Sequence, residues 1–543
     1  MKRILISALL LTLAVGAGAQ GWTDALTYAE NDYLGTARSL GMGNAMTAVG
    51  GDLGSLTLNP AGSAVSGYSQ FTITPGLSIS TVVGQGSLEH ASGSLLGFQD
   101  RVKTPMTRMQ MPNIGAIMIH DTRNKRGLRR VAFGIVGNMT RDYTSKLRAT
   151  GNNAYTTLAA SLASQADGYL ASELSGSFYG SDIPSWETMA GWQAGVINQI
   201  PGRDAAYYGL TERILANGEI SLADEVGQYY GLQRSGSKYD LLMNLGLDFN
   251  DKFYLGANIG VTSLNYRSDE TRSEEALSGR EYPTGFQSLR VRSSYRDEGS
   301  GIYAKVGFIA RPFAGLRIGA AIQTPTLMQV RETYAVEAQA VVLGSSGKTQ
   351  PSPTDEWLFN VTSPFRANVG VAYTIGKVAL LSADYEYSDF RSMRLSAYDD
   401  YNYDFSYANM DIQDLLGPVH AIRLGAELKA APQLALRVGY NLTTGAQYNT
   451  LENDDVVISL TNEERLAQLR TAVTFGAGYS SGGSFFADFA VRFQYLPNEY
   501  ITPYWYYYRD SNWNLYKDFD VAVPEICAQS SLCNAILTLG WRF

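Results

Sequence analysis

The sequence predicts an all-β fold, a 14-stranded antiparallel transmembrane β-barrel with an N-terminal hatch and a partly helical extracellular insertion. Three observations carry this. From about residue 237 onward, apolar and polar residues alternate at period 2, the period of a strand with two unlike faces. Short turns and long loops alternate strictly between the runs, the pattern of barrels that cross an outer membrane. The apolar face is nearly free of charge along each run, and a Lys or Arg facing lipid at mid-membrane would cost roughly 2–4 kcal/mol.

At the N-terminus, Lys2 and Arg3 precede an apolar stretch to Val15, and Ala17-Gly18-Ala19 gives a small-residue cleavage site before Gln20. Residues 1–19 therefore read as a signal peptide on an exported chain. Beyond it, no apolar run approaches the ~20 residues a membrane helix needs. Residues 20–67 do not alternate. They precede the first strand and are expected to fold inside the lumen as a hatch, with 68–543 forming the barrel. Gly41 and Gly43 lack the preceding strand and third glycine of a dinucleotide loop.

Weak runs at 68–80, 112–121 and 129–143 open the barrel. In the third, Gly134 and Gly137, with Asn138 beside them, mark either a kink or a regular Gly-containing strand. The largest insertion, 144–236, is expected to hold helices over Ala154–Leu174, Trp186–Ile200 and Leu210–Tyr230. Its Leu158, Leu162, Trp186, Met189, Trp192, Val196 and Ile197 either line an apolar groove or form the insertion's own core.

Eleven clear strands follow, from 239–249 and 253–262 to 485–495 and 537–543. In the first of these, Tyr239, Leu241, Met243, Leu245, Leu247 and Phe249 share one face. Tyr385, Tyr387, Tyr440, Tyr479 and Tyr495 gather at strand ends, as interfacial girdles do. The opposite, inward face carries many charges. Arg317, Arg366, Arg423 and Arg437 are its candidate lumen cations, either part of a network that holds the hatch or partners for a ligand carboxylate. Cys527 and Cys533 bracket five residues and are a candidate local disulfide in an oxidising compartment. The last strand ends on Trp541 and Phe543, resembling the terminal signal by which barrel-assembly machinery recognises its substrates.

Composition narrows function. The net charge of −8 argues against a nucleic-acid partner. Three His and two Cys leave little for a metal site, and no metal or cofactor is expected. His90, His120 and His420 sit in no Ser/Asp constellation, so no enzyme is expected. The mean hydropathy of −0.12 excludes a helical membrane protein only, because a barrel averages its lipid-facing and lumen-facing residues.

The run Gly35–Asp52, followed by Leu58-Asn59-Pro60-Ala61-Gly62, closely resembles the N-terminal hatch of the FadL family. Ile318–Thr326 and the run from Ser363-Pro364-Phe365-Arg366 to Asp384-Tyr385-Glu386-Tyr387 are similar to the same family. The resemblance implies an outer-membrane transporter, in a Gram-negative-type bacterium, for long-chain fatty acids or other hydrophobic compounds such as aromatic hydrocarbons. It implies a hatch fixed by Gly41, Gly43, Asn59, Pro60, Ala61 and Gly62, capture at an extracellular groove, and lateral exit where an early strand is kinked. Outer-membrane lipid and a monomeric state go with it. The alternatives are a PorV-type accessory barrel for protein secretion and a non-specific porin.

Overall fold

Alternation along the chain becomes a wall with two unlike faces, and closing that wall satisfies its backbone. The computed structural model describes residues 21–88, 95–179, 184–376, 378–398, 404–452, 456–505, 508–509, 515–516 and 523–543. The expected signal peptide and His90 lie outside them. Fourteen antiparallel strands make the barrel. The first seven are β1 (Gln70–Gly86), β2 (Val102–Asp121), β3 (Leu128–Asp142, resumed by Ser145–Asn153), β4 (Val226–Phe249), β5 (Phe253–Ala276), β6 (Phe286–Ala310) and β7 (Leu316–Gln323, resumed by Leu327–Val342). The rest are β8 (Asp355–Thr362, resumed by Arg366–Ile375), β9 (Ala379–Asp389), β10 (Pro418–Ala431), β11 (Leu434–Thr443), β12 (Arg470–Ser480), β13 (Phe485–Tyr495) and β14 (Ile526–Arg542). Neighbours pair in chain order, and β14 closes on β1 from Gln70↔Arg542 to Gly86↔Ile526.

The faces are inverted relative to a soluble protein. Met243, Ile302 and Phe475 are about half exposed on the outside, whereas Lys305 and Arg423 are buried within. Such an outer surface suits hydrocarbon and not water.

Strand length varies around the wall. Strands β9, β12 and β13 have 11 residues each, which at ~3.3 Å per residue and ~40° tilt just cross the apolar band of ~25 Å. Strands β4, β5 and β6 have 24, 24 and 25 residues and rise far beyond it on the long-loop side. The sequence pattern starts β4 at residue 239 where the strand starts at Val226. Above the membrane the outward positions turn polar (Ser263, Asn265 and Arg267 on β5), so alternation stops while the ladder continues.

In β7 and β8 the interruptions face each other. Gln323 pairs with Arg366 below the break, and Leu327 pairs with Thr362 above it. Pro325 and Pro364 fall in the two gaps, where neither must donate to the ladder. The Thr326 amide donates to Ser363 Oγ at 2.9 Å, and the Ser363 amide donates to the Thr326 carbonyl at 3.0 Å.

Two expectations are corrected here. Cys527 and Cys533 are free. Both lie on β14, opposite Gln85 and Ile79, and six residues of extended chain separate them by ~20 Å, where a disulfide allows a Cα distance of about 7 Å at most. The third expected helix, Leu210–Tyr230, is absent: Glu212–Ile214 and Ile220–Leu222 form a hairpin and Val226 already begins β4. Gly218, at φ +87°, makes that hairpin's turn, and Val226–Tyr230 are held extended by pairing with the resumed part of β3.

Candidate functional site

The hatch enters the lumen as short pieces that cannot stand alone. Helix α1 (Trp22–Ala29) and helix α2 (Ala37–Gly41) are followed by single 3₁₀ turns at Gly54–Thr57 and Pro60–Ser63. Thr36 caps α2, and Asn59 with Pro60 at the first helical position starts the last turn. Elements this short are unstable in isolation. Side chains of the wall stabilise them by taking the carbonyls that helix ends leave unpaired.

Lys238 Nζ donates to the carbonyls of Tyr28 and Glu30 at 2.7 and 2.6 Å, and Arg366 donates to that of Ala29 at 2.5 Å. Lys305 reaches the Thr57 carbonyl at 2.5 Å and Arg317 that of Val49 at 2.6 Å. Asn258, Asn244 and Asn138 donate to the carbonyls of Leu56, Pro60 and Leu53. In the other direction, the Thr47 amide donates to Asp384 at 2.6 Å.

Asn59 joins hatch to hatch and hatch to wall. Its Nδ2 donates to the carbonyls of Thr47 at 2.7 Å and Phe308 at 2.9 Å, and its Oδ1 accepts from the Ala61 amide at 3.1 Å. Asn59→Ala would strip these buried groups of partners and is expected to destabilise the protein by about 1–3 kcal/mol. Urea unfolding in detergent checks this, and an unchanged midpoint would contradict it.

Elsewhere backbone packs on backbone. Gly246, Gly256, Gly307, Gly319, Gly425 and Gly439 of the wall face the hatch so closely that a methyl group on any of them would overlap Ser63, Ala61, Asn59, Thr47, Met42 or Gly43. Gly43 is required twice. It has φ +61°, and a Cβ there would lie 2.9 Å from the Leu424 carbonyl oxygen and the Tyr440 nitrogen.

Charges complete the attachment. Glu386 accepts from Arg366 at 3.1 Å, Arg423 at 2.8 Å and Asn368 at 2.9 Å. Arg437 bridges Glu427 and Asp488, and Arg38 of α2 joins Glu427 at 3.0 Å. Near the chain start, Glu30 pairs with Arg470 and Arg141, and Asp32 with Arg492. Burial pushes the Glu30 and Asp32 carboxyls up. The guanidiniums outweigh it, Arg470 and Arg141 for Glu30 and Arg492 for Asp32, and hold both below the usual range.

A carboxyl with a lowered folded-state pKa contributes stability that is complete above its unfolded value of about 4 and is lost as pH falls through the folded value. The hatch start should therefore stay docked from pH 7 to about 4 and release below. The check is a fluorophore on Trp22→Cys, with Cys527 and Cys533 replaced by serine; release centred between pH 5 and 7 would contradict the assignment.

Between β2 and β3 the wall is broken. Strand β2 pairs with β1 from Gln70↔Ile117 to Gly84↔Val102, but with β3 only from Asp121↔Arg130 to Asn113↔Asn138. Beyond Asn138, β3 keeps β4 as its neighbour, with a register shift between Met139 and Arg141. Its resumed part turns inward, where Leu147 and Ala149 pack with Val82, Phe98, Ile526 and Ala528. The β2 edge from Val102 to Pro112 is left without a strand on that side. Pro105 and Pro112 lie on this edge, and proline suits it because it has no N–H to leave unpaired. The hatch meets the same bend, since the amides of Asp32 and Leu34 donate to the carbonyls of Thr140 and Met139 at 2.6 and 3.1 Å.

No family model and no curated protein matches the chain. Among solved structures, a Pseudomonas aeruginosa FadL homologue superimposes with a TM-score of 0.51 at 11% identity, over 95% of this chain and 99% of that one. The two proteins share a fold. The toluene transporters TbuX of Ralstonia pickettii (TM-score 0.44, 13% identity) and TodX of Pseudomonas putida (0.46, 12%) align over 95% of this chain and 100% of each of theirs.

The sequence-predicted residues fall as follows. Gly41, Gly43, Asn59, Pro60, Ala61 and Gly62 all lie buried in the hatch. Gly134 and Gly137 are not the bend: both are paired on the β2 and the β4 side, and the wall breaks just past Asn138. A missing side chain does not by itself break a ladder whose partners are in register. The candidate lumen cations Arg366, Arg423 and Arg437 are paired with carboxylates, and Arg317 holds a hatch carbonyl.

The seven candidate groove residues do not line a groove. Leu158, Leu162, Trp186, Met189, Val196 and Ile197 are buried in one core with Phe286, Val291, Val336 and Ala338 of β6 and β7, and Trp192 packs against it. Lys238, Asn244 and Asn258 were legible only as polar-face residues. The paired level of Asn244 and Asn258, beside the facing Gly246 and Gly256, is the signal that marks a docking ring. Pro105 and Pro112 within one strand mark an unpaired edge.

Proposed function

We propose that the protein is an outer-membrane transporter of hydrophobic compounds, long-chain fatty acids or aromatic hydrocarbons, whose ligand enters from the long-loop side and leaves sideways through the wall between β2 and β3. The observation that supports it is the combination of a plugged axis with a broken wall. Hatch residues are bonded to or packed on strands from β3 round to β14. A route along the axis would have to dislodge them, whereas the β2 edge already faces the bilayer. A solute poorly soluble in water gains by passing from the barrel straight into hydrocarbon.

At the start of the hatch, Ala25 and Tyr28 of α1 pack against Leu264, Met328, Val330 and Phe359 of β5, β7 and β8. This apolar cluster is the resting place the reading assigns to the ligand once α1 yields. Loop-side capture is assigned to no particular residue. The plugged axis also argues against a porin.

The test is uptake of radiolabelled oleate and of radiolabelled toluene by cells with and without the protein. Faster uptake of at least one is expected, and equal uptake of both would overturn the reading.

A further inference from the structure

We infer that Arg108 of β2 and Tyr239 of β4 form a two-point latch across the break in the wall, and that its opening sets how fast ligand leaves the barrel. The inference rests on the lateral-exit reading and names the groups that control it. Past Asn138, β3 leaves β2 but stays paired with β4, so a gap opens between β2 and the β3–β4 pair with no ladder across it. Two side chains reach across, one from each side. Arg108 NH1 donates to the Gly236 carbonyl at 2.9 Å, and the Tyr239 hydroxyl donates to the Met111 carbonyl at 3.1 Å.

The receiving end on β4 is fixed. Gly236 has φ +119°, and a Cβ there would strike the Asn265 carbonyl, so its carbonyl is held in one direction by a backbone that only glycine adopts. The same carbonyl accepts the Tyr143 amide at 3.3 Å, so Arg108 ties β2 to the bend itself. At the other end, Met111 directly precedes Pro112, within the stretch where the β1–β2 register shifts.

The margins of the break are not built to fit each other. Thr104 Oγ1 and both amide atoms of Gln110 on β2 are buried without a partner, as are Asp142 Oδ2 and Thr144 Oγ1 at the bend. A sealed seam would pair these atoms. Instead, among the described residues β2 is tied to β4 by these two side-chain bonds, which a rotamer change can open without unfolding any strand. At its loop end the gap is bounded by the bridge of Asp100, just before β2, to Thr150 of the resumed β3.

The test uses the full-length protein with Tyr239→Phe, Arg108→Gln and the double substitution, each read in two ways. Initial uptake rates of radiolabelled oleate and toluene should rise about threefold in each single variant and about tenfold in the double, the size expected when one or two ordinary hydrogen bonds resist opening. Hydrogen exchange of the purified protein in detergent should show faster exchange over residues 102–112 and 234–240, with the hatch unchanged. Tyr239→Phe keeps the ring, so it retains the packing that a larger change would disturb.

Wild-type rates in all three variants, or slower uptake, would overturn the latch while leaving lateral exit standing, provided that the wild type exceeds cells lacking the protein. If the wild type does not exceed them, the transport reading fails first. Unchanged exchange over 102–112 and 234–240 in the double variant overturns the latch in either case.

Discussion

Replacing Glu386 by alanine is expected to destabilise the protein by about 3–5 kcal/mol, among the largest effects available to one side chain. The reason is what remains. Glu386 is buried on β9 between Arg366 and Arg423, and both guanidiniums are themselves buried. Without the carboxylate, two cations face each other in a closed lumen. Arg423 is poorly placed to compensate, because its Nε and NH1 already lack partners.

The loss would reach the hatch by two routes. Arg366 also holds the Ala29 carbonyl at the end of α1, and Arg423 lies 5.3 Å over the ring of Tyr33. Glu386→Gln should fall between wild type and alanine, since it keeps an acceptor and loses the charge. Thermal unfolding in detergent measures the effect. A midpoint within a degree or two of wild type for Glu386→Ala would show that the cluster is hydrated and contributes little.

Legibility in the sequence follows where the cause of a feature is local. Strands β9 to β13 are legible because lipid on one side and lumen on the other impose alternation on every pair of residues. The upper halves of β4 to β6 are not, because water wets their outer face and the outward residues become Ser263, Asn265 and Arg267. Asn59 and Pro60 announce a turn through their own backbone preferences. The atoms that hold that turn in place lie on β4 and β6, about two hundred residues away, and no local rule points to them.

The insertion fails for a related reason. An amphipathic helix shows that it has an apolar face but not what covers it, and here Phe286 and Val336 of the neighbouring strands do. The two cysteines read as a local pair because β14 begins at Ile526, eleven residues before the apolar alternation that starts at Leu537. Ser530 and Ser531 interrupt the pattern while the pairing with β1 runs through them.

Placing a valine at Gly439 is expected to turn a plugged barrel into a conducting one. Gly439 lies on β11, in register with Gly425 of β10, and a Cβ there would overlap the Gly43 nitrogen and the Met42 carbonyl carbon. Overpacked cores ordinarily relax by moving a side chain, at about 1–3 kcal/mol. No side chain is available to move here, because both surfaces in contact are backbone. The wall cannot retreat, since β11 is paired with β10 on one side and β12 on the other.

The hatch has to shift instead. Its attachment on this side consists of close glycine contacts, the Gly41 carbonyl bonded to Thr474, and the Arg38–Glu427 pair. Planar-bilayer recordings should show little conductance for the wild type and clear, fluctuating conductance for Gly439→Val. The substitution also separates the plug from the wall break. Uptake through the side should survive a loosened hatch, whereas the barrier to ions along the axis should not. A silent Gly439→Val that folds normally would mean that the axis is closed above the hatch, by the loops, and that the glycine contacts serve assembly alone.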